Sequence, residues 1–142
     1  PRYNLVDREI EGDYLEFARQ RNLAVSPWSP LGQGFLTGKY DRDADLPGDS
    51  KAAESSRFQE SYLTEANFDV HDELDRVADE VGASPAQTAL AWLAGRDGVT
   101  APIVGARTVE QLRENLAAAT VDLSDEQVER LTAAKPGPYD AL

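Results

Sequence analysis

Two short apolar runs each leave a buried segment for a glycine-bearing loop, and this repetition most constrains the fold. The first, Leu23-Ala24-Val25, runs into SPWSPLGQGFLTGKY, residues 26–40. The second, VTAPIVGAR, residues 99–107, turns at Gly105. Runs this short, closed by Pro27 or Gly105, read as buried strands, with a possible third strand ending at Tyr3-Asn4. Helical patterns separate them. Residues 9–21 place Ile10, Tyr14 and Phe17 on one face, and residues 67–81 do the same with Val70, Leu74, Val77, Ala78 and Val81 before Gly82 ends the helix. Three capping boxes then announce helices: SPAQ at 84–87, with Pro85 at the first helical position and Trp92 and Leu93 downstream; TVEQ at 108–111, with Leu112, Leu116 and Ala119 inward; and SDEQ at 124–127, with Val128 and Leu131 inward. Residues 41–60 are polar, with Pro47, Gly48 and several serines, and read as a loop too long for a simple connection. The tail from Pro136 to Leu142 reads as loose.

Strands alternating with helices indicate a parallel α/β fold. Two full strands cannot cover such a sheet, so its edges are open and part of the fold is expected elsewhere. The opening PRYNLVDREIE has no cap or charged leader, and the chain contains no methionine. Both features read as the C-terminal piece of something longer.

With 142 residues, 41% of them hydrophobic, the chain can build one core. No apolar run approaches the roughly 18 residues of a membrane span, so a soluble, cytoplasmic protein with no membrane partner is expected. The 26 acidic and 14 basic residues give a net charge of −12, which repels phosphate backbones and argues against nucleic-acid binding. The acid excess with few lysines (Lys39, Lys51, Lys135) resembles proteins of salt-rich cytoplasm, and an ordinary acidic bacterial protein fits equally. Without cysteine there is no disulfide, thiolate metal site or thiol nucleophile, and no metal site is expected. The single histidine, His71, lies in an acidic helical stretch and reads as a solvated surface residue.

In α/β folds the loops after the carboxyl ends of strands build the site. In the first loop Gly32, Gly34 and Gly38 let backbone N–H groups approach an anion. Lys39 adds a cation, and Trp28 offers a flat face to a planar ring; a tight loop around a core tryptophan is the alternative. In the second, Arg107 stands at the mouth of a helix capped by Thr108, where a guanidinium can clamp a phosphate. Gln111 and Asn115 share a face there, beside Glu114; a well-capped surface helix is the alternative.

WSPLGQGFLTGKY and IVGARTVEQLRENL closely resemble the aldo-keto reductases, and YNLVDREIE resembles the segment after that family's sixth strand. The resemblance covers nearly the whole chain, in order. It implies the last three-eighths of a (β/α)8 TIM barrel, residues 1–142 forming its C-terminal part, with a cofactor-covering loop at about 40–66 and closing helices at about 108–134. It implies an NADP-dependent reduction of a carbonyl substrate. Trp28 would stack on the nicotinamide; Ser29, Pro30, Leu31, Gln33 and Lys39 would line the diphosphate; Arg57 would fold over the cofactor. Gly105, Arg107, Gln111, Glu114 and Asn115 would hold the adenosine end, with Arg107 favouring NADP over NAD. The family's catalytic Asp, Tyr, Lys and His come from the first half of the barrel and are not matched here, so this chain alone is expected to be inactive and to fold poorly or associate. WSPL…GKY also resembles the cytoplasmic beta subunits of potassium channels, which implies a non-catalytic NADP-binding regulatory or partner subunit as the alternative.

Overall fold

The computed structural model describes residues 1–48 and 50–137. Its regular elements are seven α-helices: α1 Asp13–Gln20, α2 Lys51–Glu54, α3 Ser56–Tyr62, α4 Glu65–Val81, α5 Pro85–Ala94, α6 Val109–Ala117 and α7 Asp125–Ala133. Two 3-10 segments, Gly32–Thr37 and Ala118–Thr120, complete them. The expected looseness of the tail falls at residues 138–142 outside the described residues.

The two full strands expected at 23–25 and 99–104 are not formed among the described residues; what stands in their place is one isolated parallel bridge and a few backbone hydrogen bonds between segments. Trp28 N donates to Pro1 O (2.9 Å), and Arg2 and Trp28 form a parallel bridge. On the other side Thr100 N donates to Val25 O and Ile103 N to Pro27 O, both at 2.8 Å. Three segments thus lie side by side, with the one at 25–28 in the middle. Its burial is thinner than expected, because Leu23 and Ala24 are exposed and only Val25 and Pro27 of residues 23–28 are buried. A parallel segment buries both faces only when both are covered, and here one face is open.

The helix starts follow from local chemistry. Ser84 Oγ accepts from Gln87 N while Gln87 Oε1 accepts from Ser84 N, and Ser124 and Gln127 repeat the exchange. At TVEQ the box is only half formed. Thr108 Oγ1 accepts from Gln111 N, but Gln111 Oε1 reaches one residue further back, to Arg107 N (2.9 Å). Thr64 caps α4, and Gly82 ends it in the left-handed conformation (φ 66°), which glycine adopts without cost.

Four expectations are corrected. The segment 41–60 is not structureless: Ser50 and Ser55 cap α2 and α3, which bury Ala52, Phe58 and Tyr62. On α1 the buried residues are Leu15 and Ala18, while Tyr14 and Phe17 are exposed; the Arg21 guanidinium lies over the Phe17 ring. On α6 no residue is buried, and Val109, Leu112, Leu116 and Ala119 face outward. α6 bonds to α5 through Gln87 Nε2 and Glu114 O (3.3 Å), and its apolar stripe is left uncovered. His71 is buried, its ring edge-on to Phe35 at 5.7 Å and Nδ1 3.2 Å from Asp75 Oδ2. It lies three residues from both Phe68 and Leu74, on the apolar face of α4, so helical position outweighs its acidic neighbours.

The core joins the chain's two ends. Tyr3 packs edge-on to Trp92, and Trp92 Nε1 donates to Thr132 Oγ1 (3.0 Å). Arg8, buried and paired with Glu11, donates to the carbonyls of Thr132 and Lys135 at the end of α7, where a cation also suits the helix dipole. Lys135 Nζ in turn donates to Val6 O and Asn67 Oδ1. On one side of this core, Phe35 sits among Tyr40, Tyr62, Phe68 and His71, anchoring the first glycine-bearing loop.

Candidate functional site

The two loops meet. Ser29, Pro30, Leu31, Gln33 and Lys39 of the first and Gly105, Arg107, Gln111, Glu114 and Asn115 of the second line one cleft of about 700 Å3. Ten of the twelve residues singled out in the sequence are therefore brought together. The other two, Trp28 and Arg57, line an adjoining cleft of about 650 Å3, which shares Ser29, Gln33 and Lys51 with the first. Trp28 is half exposed, so the core-tryptophan reading of the first loop does not hold.

The first loop is held in conformations that side chains rarely adopt. Ser29 and Gln33 have φ of 56° and 57°, and Gly34 has φ of 96°. A non-glycine residue with positive φ is uncommon, and it persists where surrounding bonds over-determine it. Ser29 Oγ accepts from Gln33 N (3.2 Å), and Ser29 O accepts from Gly32 N and Asn4 Nδ2. A Cβ on Gly34 would stand 3.1 Å from Lys39 Nζ. The missing side chain at Gly34 is thus what lets the ammonium lie over the loop.

The second loop has fewer supports. Besides the Arg107–Gln111 bond, Asn115 Nδ2 reaches Gly105 O at 3.5 Å. Both amides expected to face a ligand brace their own loop with one atom each. Gln111 Nε2 has no hydrogen bond among the described residues.

Charge marks the cleft most clearly. Arg2, Arg8, Arg19, Arg42, Arg76, Arg96 and Arg130 each pair with a carboxylate. Of the seven basic residues that form no ion pair among the described residues, Lys39, Lys51, Arg57 and Arg107 line the two clefts, and Arg21, Arg113 and Lys135 do not. In a chain of net charge −12, this gathers four cations without such a pair at the two clefts, where Glu54 and Glu114 also line the first. Lys51 was missed in the sequence, as was Glu54 beside it. The signal for Lys51 was its rarity, but only the packing of α2 brings it to the cleft. Phe58 and Tyr62 of α3 close the adjoining cleft. Burial, followed by the hydrogen bond from its hydroxyl to Asp7, pushes the Tyr62 phenol up to about 12, so it remains a donor near neutrality.

The sequence model of the Aldo/keto reductase family matches residues 1–136, and the chain belongs to that family. Its relatives include the "Probable voltage-gated potassium channel subunit beta" of Arabidopsis thaliana, 33% identical over 96% of this chain and 44% of its own length. "Probable aldo-keto reductase 1" of Glycine max is 31% identical, over 94% of this chain and 38% of its own. "Aldo-keto reductase yakc [NADP(+)]" of Schizosaccharomyces pombe is also 31% identical, over 93% of this chain and 38% of its own. The chain spans about two-fifths of the length of these relatives. The family fold is a (β/α)8 barrel; the described residues, helical with one isolated parallel bridge, are consistent with a part of one and show no barrel of their own. Among the described residues no helix is long and apolar enough to cross a membrane.

Proposed function

We propose that this chain is the cofactor-holding part of an NADP-dependent aldo-keto reductase, contributing the last three strands and closing helices of its barrel. The observation that carries this reading is the set of four cations without an ion pair among the described residues on two adjoining clefts, Lys39 and Arg107 from the two loops and Lys51 and Arg57 from α2 and α3. The donor set suits a dinucleotide. Arg107 would take the 2′-phosphate through two hydrogen bonds, and Lys39 and Lys51 would face the diphosphate with the backbone N–H groups of the first loop. Gln111, Glu114 and Asn115 would take the adenosine. Trp28, exposed beside Ser29, would lie against the nicotinamide, and Arg57 would cover it from α3, within the lid formed by residues 40–66. When bound, NADPH supplies the hydride that reduces an aldehyde or ketone. The residues described here bind and orient; the proton donor of such a reaction would come from outside this set, so the 142 residues alone would bind without turnover.

Relatives that carry the name of potassium-channel beta subunits support a second reading, a non-catalytic NADP-binding partner subunit. Both readings use the same cleft, and aldehyde-dependent NADPH oxidation by the intact protein separates them. The test of the shared claim is Arg107→Ala. Affinity for NADPH should fall about 100-fold, in the range set by losing a charge-assisted bidentate contact, while affinity for NADH changes little. Equal loss for the two cofactors would remove the 2′-phosphate role from Arg107.

A further inference from the structure

One buried carboxylate reaches three of the residues that this cleft depends on. Asp7 lies in the segment before α1 and is 8% exposed. Its Oδ1 pairs with the Arg2 guanidinium at 3.2 Å, and that guanidinium lies over the Trp28 ring, 5.8 Å from its centroid. Its Oδ2 accepts from Asn4 Nδ2 at 2.8 Å. The same amide donates to Ser29 O at 2.9 Å. Oδ2 also accepts from the Tyr62 hydroxyl at 2.7 Å, and that hydroxyl accepts from Gln33 Nε2 at 3.4 Å.

Asn4 is fully buried, and both amide hydrogens and the amide oxygen of its side chain are bonded. Its Oδ1 accepts from Val6 N and Asp7 N at 2.9 Å, closing a turn that fixes the carboxylate against it. Each of the three arms ends on a residue of the first loop: the exposed ring at Trp28, and the two positive-φ residues Ser29 and Gln33. Strained backbone needs such external support, and a hydrogen bond to a charged group is stronger than one between neutral groups. Because Tyr62 belongs to α3, one arm also ties the covering segment to the loop beneath it.

We propose that Asp7 is the positioning residue that sets Trp28, Ser29 and Gln33 as one unit before a dinucleotide arrives. The proposal rests on the reading of the cleft as a dinucleotide site, and it extends that reading to residues that touch no ligand. Its signature is coupling: disturbing Asp7 moves the ring and the strained turn together, while cutting a single arm moves one of them.

The test uses the intact protein without cofactor first. Amide hydrogen exchange is followed at Gly32–Leu36, and Trp28 emission is taken as the difference from the same protein carrying Trp28→Phe. Asp7→Asn should speed exchange at these amides at least fivefold and also increase iodide quenching of Trp28. Tyr62→Phe, which keeps the ring in its stack with Phe58, should speed the exchange and leave the quenching alone. Arg2→Ala should do the reverse. The two single-arm variants decide the matter if Asp7→Asn does not fold. With melting temperatures unchanged, no effect of Tyr62→Phe on exchange or of Arg2→Ala on quenching would overturn the proposal. Titration with NADP+ follows, and Asp7→Asn and Tyr62→Phe should each raise Kd about tenfold. If the unmodified protein does not bind NADP+, the cleft reading fails, while the exchange and quenching results still decide the role of Asp7.

Discussion

The two loops that form the cleft are built in opposite ways. The first, residues 26–40, is driven into the core by Phe35 and Leu36, both fully buried, and braced by Asn4, Asp7 and Tyr62. The second, from Ile103 through Gln111, is exposed along its whole length; it is tied to the segment at 25–28 only at Ile103 N, and otherwise held by the Thr108 cap and two side-chain amides of its own helix. If the cleft holds a dinucleotide as proposed, the braced loop would lose less freedom on binding than the exposed one; the diphosphate side would then give shape, and Arg107 on the adenosine side selectivity.

The largest expected contrast is in the core beneath the loops. Phe35→Ala should cost about 3–5 kcal/mol in urea unfolding, as other buried phenylalanine truncations do, while Leu112→Ala on the exposed stripe of α6 should stay within about 0.5 kcal/mol. Comparable losses would erase the distinction. Next comes backbone strain. Gly34→Ala places a side chain at φ 96° against Lys39 and should cost about 1–2 kcal/mol while weakening NADP(H) binding. Gly105 has nothing within 4 Å of an added Cβ and no positive φ, so Gly105→Ala should be neutral or stabilising by about 0.5 kcal/mol. Thermal melts of the pair sharpen the comparison at matched chemistry. Thr108→Ala removes the cap of α6 and should cost about 1 kcal/mol, with a looser second loop by hydrogen exchange.

The smallest effect is one of pH. The Tyr62 phenol is raised from 10.0 to about 12 in the folded chain, so folding favours its neutral form. Its contribution is complete below about pH 10 and is lost as pH rises through about 12. Tyr62→Phe should therefore flatten the fall of the urea midpoint over that window. An unchanged slope would place the bracing hydroxyl elsewhere. Tyr3, also raised by burial, leaves part of the slope in place.

What the sequence disclosed follows the range of the interactions involved. Ser84, Pro85 and Gln87 declare a helix start because the cap is closed within four residues, and Ser124 with Gln127 does the same. The paired glycine-bearing loops were legible because glycines and a single arginine after apolar runs have few other uses. A periodic apolar stripe, in contrast, tells which residues share a face and not whether anything covers it. Tyr14, Phe17, Leu112 and Leu116 share faces as read, and all four are exposed. His71 failed in the other direction, since charged neighbours in sequence point around the helix and away from it. The one-turn helix α2 leaves no period to detect, only the cap at Ser50, so Lys51 could not be placed. Asp7, which Asn4 holds, and Tyr62 lie 55 positions apart, and no local pattern announces a tertiary network of that span.

The central claim is that both loops hold one dinucleotide. Hydrogen exchange of the intact protein with and without saturating NADP+ tests it most directly. Protection is expected in both segments, 29–39 and 105–115, with the larger change in the second because the first is already braced. Protection confined to one segment, or none in either while binding is confirmed by calorimetry, would contradict it.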